Sequence, residues 1–559
     1  MSRPARPEGA PAVTRDPLTA GSRERVAVRA RVAPVPEPPF ERLFDPIQDD
    51  LAHDGPLARE RFAVRWSDTG ALAALAGAKR APLAAELAAG LADYHRRLGA
   101  SPESLAALER LARGEAVCAV AGQQPAPLGG PLYSLHKTAA AVGLAAVVAE
   151  RTGIACVPLF WMHGEDSDFA EIRSATFADR ALALTERALP EGAHAPGGLV
   201  GSVALEPLAA LGEEALRAWE GLPGHAHVTA LWRGSLERAR DLGEAFSALM
   251  LRLFAAQGLV VVDPRLPAFR AAARPLLERY LANGEALAGA ARRAGAWLES
   301  HTGRRPLADT ALESFVFAIE DGARHKLTLA EARALPASRP LSPSVALRPV
   351  VQDAVFPTVA MACGPGELAY LAQLTEVFES LGVRSACAVP RFGATWLPPA
   401  AVAFLETSGA DPWEMVAAAD TVLRRVSERA IPPGVLASLE RAHAAALEGL
   451  DRFAAEARGV DASLPQMVDS ARAKVDYQYQ RLHEGLVGKV RHRLERQHPE
   501  WPRLRYYLLP GDRLQERRLA SLEVAAYRGA GVAGEVAELA AEHARRLARG
   551  IWEHLVVEL

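Results

Sequence analysis

The sequence predicts an α/β fold: a doubly wound parallel sheet, interrupted by two long excursions and followed by two long helices. Three observations predict it. Five short apolar runs, at residues 115–122, 154–161, 258–264, 354–364 and 384–390, have the length and content of buried strands. Helical patterns separate the first two runs and the last two, which is the alternation of βαβ units with right-handed crossovers. Beyond Ser408, apolar residues recur at three- and four-residue steps along two extended stretches, the spacing of paired long helices.

The elements follow in order. Residues 1–40 are rich in arginine, proline and alanine and carry no apolar segment of the secretory kind, so a disordered tail is expected. From 43 to 111 the pattern is helical with short loops, and Ser101 reads as a helix start. Strand, polar loop, helix (132–150) and strand then follow within about 45 residues. The most apolar stretch, 138–149, is a dozen residues long, short of the roughly 20 that a membrane span needs, so no membrane partner is expected. The excursions cover 176–257 and 264–342. The second contains SFVFAIEDGARHKLTL, two strand-like runs around Asp321-Gly322 and hence a hairpin. In the last third, Leu436, Leu439, His443, Ala446, Leu450 and Phe453 occupy heptad positions, as do Val468, Val475, Leu482 and Leu486. An antiparallel coiled-coil hairpin is expected there, either packed on its own domain or, because a lone hairpin leaves apolar surface exposed, serving as a homodimer arm. The divisions are therefore 1–40 (tail), 41–175 (helical lead-in and first half of the core), 176–257 (insertion), 258–410 (second half of the core with a hairpin-containing insertion), 411–510 (helical hairpin) and 511–559 (C-terminal helices and a final strand returning to the core).

Composition narrows the function. With 64 Lys and Arg against 67 Asp and Glu, the net charge of -3 gives no nucleic-acid signature. The stretch KVRHRLERQHPEWPRLRYYLLPG is basic and aromatic, but its acidic neighbours and the slight negative charge of the chain make it a solvated helix end or a nucleotide-facing dimer surface. Cys118, Cys156, Cys363 and Cys387 form no CxxC pair, so neither a disulfide framework nor a zinc finger is indicated, and reduced thiols of a cytoplasmic protein are expected.

Three polar clusters stand where strands end. The first, AGQQPAPLGGPLYSLHK, supplies Gln123, Gln124, Gly129, Gly130, Tyr133, His136 and Lys137 at the start of a helix. In an open α/β sheet, ligands bind at such strand ends, where helix N-termini favour anions. Lys137 would neutralise a phosphate or carboxylate, His136 would donate to a leaving group, and the glycines would let backbone N–H groups approach. The second, FWMHGEDSDFAEI, places His163, Glu165, Asp166 and Asp168 within six residues; these would hold Mg²⁺ on a nucleotide or capture an amine, one of them being spent as a helix cap. They specify no zinc site. The third, ACGPGELAYLAQL, offers Gly364, Gly366, Glu367 and Tyr370, with Arg348 upstream and Arg391 downstream.

These motifs, together with SPSVALRPVVQD, VPRFGATWL and the late LLPGDRLQER, resemble in that order the bacillithiol biosynthesis cysteine-adding enzymes, over nearly the whole chain beyond residue 43. GEDSDF has Ser167 where that family usually has histidine. The resemblance implies a Rossmann-like core similar to class I aminoacyl-tRNA synthetases and nucleotidyltransferases, connecting-peptide insertions, and a coiled coil that makes a homodimer. It implies a ligase that adds L-cysteine to glucosaminyl-malate, with ATP and Mg²⁺ activating the cysteine carboxylate. It also implies catalysis by His136, Lys137, Asp166 and Asp168, with Arg348 or Arg391 on the malate carboxylates. Two rivals stay open. One is a related ligase joining another amino acid to an amino sugar; the other is a non-catalytic, nucleotide-binding dimeric scaffold, against which the convergence of polar groups at three strand ends argues.

Overall fold

Residues 30–33, 45–336, 339–461 and 463–559 are described by the computed structural model. The tail expected over 1–40 lies outside them, apart from Ala30–Ala33, whose backbone pairs antiparallel with the strand His554–Glu558.

The five apolar runs form one parallel sheet: β1 (Val117–Gln123), β2 (Cys156–Met162), β3 (Val260–Val262), β4 (Thr358–Cys363) and β5 (Cys387–Pro390). Their spatial order is β5-β4-β1-β2-β3, with every pairing parallel. The chain therefore builds outward from β1 through β2 to β3, then returns to the other side of β1 for β4 and β5. Helices cover both faces, so side chains of either parity are buried, which is why the strands read as unbroken apolar runs. Val117, Ala119 and Ala121 meet Leu144, Val148 and Ala544 on one face, while Cys118 and Val120 meet Leu91, Phe269 and Tyr280 on the other.

The crossover from β1 to β2 is α1 (Leu132–Thr152), closed by Gly153 in the left-handed conformation. At 21 residues it is long and apolar enough to cross a membrane, yet 78% of its apolar window is buried inside the fold. It lies so close to the helix Val532–Leu547 that a Cβ on Gly143 would stand 2.5 Å from the Ala541 nitrogen. Only glycine fits that crossing.

Some boundaries differ from expectation. The run 354–364 is strand only from Thr358; its first residues end the helix Arg348–Val355. Phe356 precedes a proline, and the ring pushes the preceding residue into extended backbone, ending the helix there. The pattern after Gly364 divides into α3 (Pro365–Gln373) and the helix Thr375–Ser380. The last strand, His554–Glu558, joins Ala394–Leu397 in a separate three-stranded sheet rather than the five-stranded one.

The first excursion holds a hairpin (Ser174–Ala178, Leu184–Ala188) and three helices, and the second holds α2 (Pro267–Thr302) and a three-stranded sheet. The hairpin expected at Asp321-Gly322 is present between Val316–Glu320 and Ala323–Lys326, both turn residues having positive φ (49° and 76°). That turn reaches the first excursion: Leu199 N–H donates to the Gly322 carbonyl and Arg324 N–H to the Gly197 carbonyl.

Two long helices, α4 (Pro433–Glu456) and α5 (Leu464–Gln497), lie antiparallel, pairing His443 with Asp476 and Asp451 with Arg472. Val468, Val487 and Val490 are buried and Tyr479 stacks on His443, but Leu482 and Phe453 face outward at 59% and 53% exposure. A straight helix drifts about 20° per heptad against a seven-residue repeat, which rotates Leu482 off the seam.

Candidate active site

The loops leaving β1, β2 and β4 converge at the carboxyl edge of the sheet, where the strand order reverses between β1 and β4. Lys137, in the second turn of α1, turns its ammonium back to this point. It donates to the Gly122 carbonyl (2.8 Å) and to Gln123 Oε1 (3.0 Å) and stands 2.7 Å from Glu367 Oε2. The same carboxylate oxygen accepts the Gly364 N–H at 2.8 Å, in the first turn of α3 beside the exposed Gly366. Gln123 also donates to the Tyr133 hydroxyl (3.3 Å), and Gln124 is buried next to it. Burial pushes the Tyr133 hydroxyl up to about 12, so it stays protonated. Gln123, Tyr133, Lys137, Gly364 and Glu367 are thus gathered as the strand ends imply.

His136 is not presented to that cleft. Its ring is fully enclosed, with Nδ1 3.0 Å from Glu516 Oε2 and Nε2 accepting the Trp396 indole N–H at 2.9 Å. That network assigns the proton to Nδ1. Burial depresses the imidazole's pKa, leaving it neutral with both nitrogens engaged, so it has no free donor for a leaving group. Arg391 is likewise committed: Nη1 and Nη2 both go to Glu516, at 3.0 and 2.5 Å. Burial alone would raise the Glu516 carboxyl, but Arg391 and His136 hold it well below the usual range. Sequence reasoning expected substrate contacts from His136 and Arg391; the fold gives them a buried charge network instead.

The Gly129–Gly130 turn also differs from expectation. Both glycines have positive φ (80° and 72°), but Gly130 N–H is spent on the Pro127 carbonyl and Leu132 N–H on the Leu519 carbonyl, while the Gly130 carbonyl accepts from Ser521. The turn fastens the C-terminal segment; these two N–H groups are not offered to an anion.

After β2, His163 packs on the glycine at the end of β1, where a Cβ on Gly122 would stand 2.5 Å from His163 Nε2. Burial and the neighbouring Arg348 push its pKa down, so it is neutral. Glu165 pairs with Arg270 at 2.8 Å, yet burial raises its carboxyl. Asp166 receives Arg348 and, at 3.1 Å, Arg324; burial by itself would raise its pKa, but Arg348 and Arg324 hold it below the usual range. Asp168 accepts the Glu171 N–H at 3.2 Å and caps the short helix Phe169–Ile172, so it is the capping member of the cluster. Tyr370, one turn beyond Glu367, has its hydroxyl raised by burial and senses the charges of Glu367, Arg348 and Asp166. Among the described residues, no three histidine, cysteine, aspartate or glutamate side chains gather as a metal-ligand set.

Three participants escaped the sequence reading. Glu516 sits in the LLPGDRLQER motif, which gave a signal without a role. Arg324 follows the Asp321-Gly322 turn by two residues, so the hairpin placed it, although nothing aimed it at Asp166. Arg270 lies in α2 and carried no sequence signal.

The site motifs and the strand topology agree with what comparison with known proteins finds. Residues 56–392 match the family model for "Bacillithiol biosynthesis BshC, N-terminal Rossmann-like domain". The "Putative cysteine ligase BshC" of Koribacter versatilis is 32% identical over 466 residues, covering 80% of this chain and 85% of the relative. The protein of the same name from Solibacter usitatus is 31% identical over 458 residues (77% and 83%), and that from Symbiobacterium thermophilum 29% over 484 (78% and 84%). A domain match over more than half of the chain and a likeness spanning most of both partners lead to one conclusion: the chain belongs to the BshC family of bacillithiol biosynthesis.

Proposed function

We propose that this chain is a cysteine ligase that joins L-cysteine to the amine of glucosaminyl-malate, with ATP activating the cysteine carboxylate. The observation that carries the reading is Lys137 standing at the strand-order reversal in contact with Glu367. Activation requires the cysteine carboxylate to attack the α-phosphorus of ATP and expel pyrophosphate, and a cation held at the strand ends stabilises the charge that accumulates on the phosphoryl oxygens. Mg²⁺ would enter as the nucleotide's counter-ion. The acceptor amine then attacks the acyl carbon, AMP leaves, and the amine's proton passes to a carboxylate. With Asp168 spent as a cap, Asp166 held by two arginines and Glu165 paired with Arg270, Glu367 is the carboxylate assigned that proton. The strand order outward from β1 and back supports the relation to class I aminoacyl-tRNA synthetases. Four unpaired thiols support a reducing, cytoplasmic setting. The outward-facing Phe453, Met467, Tyr477 and Leu482 on the helical hairpin support a coiled-coil homodimer.

The test is mass spectrometry of purified protein with glucosaminyl-malate, L-cysteine and Mg-ATP, beside an ATP-free control and Lys137→Met. A cysteine adduct that needs ATP and is lost in Lys137→Met is expected. An adduct formed without ATP removes the adenylate, and an adduct made equally well from serine removes the cysteine specificity.

A further inference from the structure

The amino edge of the parallel sheet, opposite the cleft, holds an open cavity of about 550 Å³ at the starts of β4 and β5. Leu83, Phe356 and Val383 give it apolar walls. Its charged lining is Lys79, Arg279, Asp353 and Arg384, none of which the proposed reaction uses.

Lys79 ends the helix Thr69–Lys79, and its side chain keeps only 7% of its surface exposed. Its ammonium is loosely held, with Asp353 Oδ2 3.6 Å away and Thr358 Oγ1 3.5 Å away. Asp353 is already supplied with donors: it accepts from the Thr358 hydroxyl, from Gln352 Nε2 at 3.1 Å and from the Ala386 N–H at 2.5 Å. A lysine ammonium carries three N–H donors, and no short bond takes any of these.

Two guanidinium groups stand at the rim. Arg279, in α2, and Arg384, just before β5, are exposed and make no side-chain hydrogen bond or ion pair among the described residues. The carboxyl ends of the helices at Lys79 and Val355 favour positive charge here. Arg279 stands in the middle of its helix and serves no such end. The lining sets three cations against one carboxylate, and Glu379, in the groove that adjoins Val383 and Arg384, reduces that surplus without cancelling it. The volume is that of a small-molecule site. An ammonium and two free guanidinium forks, converging from three elements, suit an anion that carries more than one charge.

We propose that this cavity binds a small multivalent oxyanion, a ligand with phosphates or several carboxylates, which takes Lys79 at the floor and Arg279 and Arg384 at the rim. The site is separate from the cleft. The helix Arg348–Val355 nevertheless carries Arg348 at the cleft edge and Asp353 at this one, so both sites share one rigid element.

The experiment uses the full chain with inorganic pyrophosphate and malate as separate probes. Binding is measured by calorimetry, and phenylglyoxal labelling read by peptide mass spectrometry places it. At least one probe is expected to slow labelling of Arg279 and Arg384 fivefold or more, while the exposed Arg59 reacts at its unliganded rate. The double variant Arg279→Gln with Arg384→Gln, whose altered side chains make no ion pair, is expected to keep its thermal transition and lose at least tenfold in affinity for that probe. Lys79→Met, once shown folded, is expected to lose as much; should it not fold, the labelling and the rim variant decide. Protection by pyrophosphate alone identifies phosphate as the ligand group, and protection by malate alone identifies carboxylate. Binding that leaves both arginines labelled at the unliganded rate belongs to the cleft and overturns the proposal. Absence of binding by either probe overturns it too, as does a rim variant that binds as tightly as the wild type.

Discussion

Lys137 and Glu367 form an ion pair, 2.7 Å apart, across the point where the sheet reverses its strand order. One residue lies in the second turn of the helix after β1 and the other in the first turn of the helix after β4, so the pair links side chains from the two halves of the core. Both side chains are largely buried, and loss of one partner leaves the other charge uncompensated. Lys137→Met is expected to cost about 3 kcal/mol in urea unfolding. The double variant with Glu367→Gln is expected to cost less than the two single changes added together, the signature of direct coupling.

The two aspartates of GEDSDF carry different burdens. Asp168→Ala removes one capping bond at the exposed start of a four-residue helix and is expected to cost about 1 kcal/mol or less, with ligation nearly unchanged. Asp166→Asn leaves Arg348 and Arg324 facing each other with their shared counter-ion gone, and about 3–5 kcal/mol is expected. Denaturant unfolding of both variants compares them directly, and equal losses contradict the assignment.

Acid should destabilise the fold well before carboxylates titrate. Burial depresses His95, His543 and His554 to about 4 each. The unfolded chain, with histidine near 6.5, takes up these protons first, so stability is complete above that value and declines as the pH falls toward 4. Each histidine accounts for about 2 kcal/mol at pH 5. His95→Gln is expected to reduce the slope of unfolding free energy against pH by about one proton in this window. His95 accepts the Val261 N–H in β3, so this variant also costs stability at pH 8, where the slope is flat.

Glu523 works in the opposite direction. Enclosed between the Ala178 N–H and the Tyr507 hydroxyl, its carboxyl is pushed up to about 7 by burial. A carboxyl whose pKa is raised on folding stabilises below its unfolded value and loses that contribution as the pH rises through 7. Glu523→Gln mimics the protonated form, and about 3 kcal/mol of stabilisation is expected at pH 8, falling to about 1 kcal/mol at pH 5. Thermal unfolding at both values checks this.

The helical hairpin gives a test of association separate from folding. Phe453→Glu combined with Leu482→Glu alters two outward-facing positions and is expected to leave the unfolding midpoint within about 2 °C, because exposed substitutions are usually worth less than 0.5 kcal/mol. Sedimentation is expected to shift from dimer to monomer. A wild-type chain that sediments as a monomer removes the dimer proposal.

Much of the core was legible because its signals are local. The strands were apolar across both parities, the Asp321-Gly322 turn demanded positive φ, and Ser101 capped its helix by accepting the Ser104 N–H. The site was legible only as a neighbourhood. His136 and Lys137 are adjacent in sequence, yet a 100° turn of the helix sends one toward Trp396 and Glu516 and the other toward β1 and Glu367. Which of them meets a ligand depends on partners about 230 to 380 residues away. Arg391 and the Gly129–Gly130 turn were read as ligand contacts for the same reason, since the segment that occupies them arrives from the far end of the chain.

That segment imposes an order of events during synthesis. Glu516 closes the His136 and Arg391 network, and Leu519 and Ser521 lock the turn beneath α1. A ribosome making roughly 5–20 residues per second leaves an interval on the order of 20–80 s between His136 and Glu516. Throughout that interval the nascent chain holds His136 and Arg391 without the carboxylate that braces them. A chain cut short before residue 515 therefore carries most of the recognisable motifs and leaves Arg391 without its buried counter-ion and His136 without its acceptor.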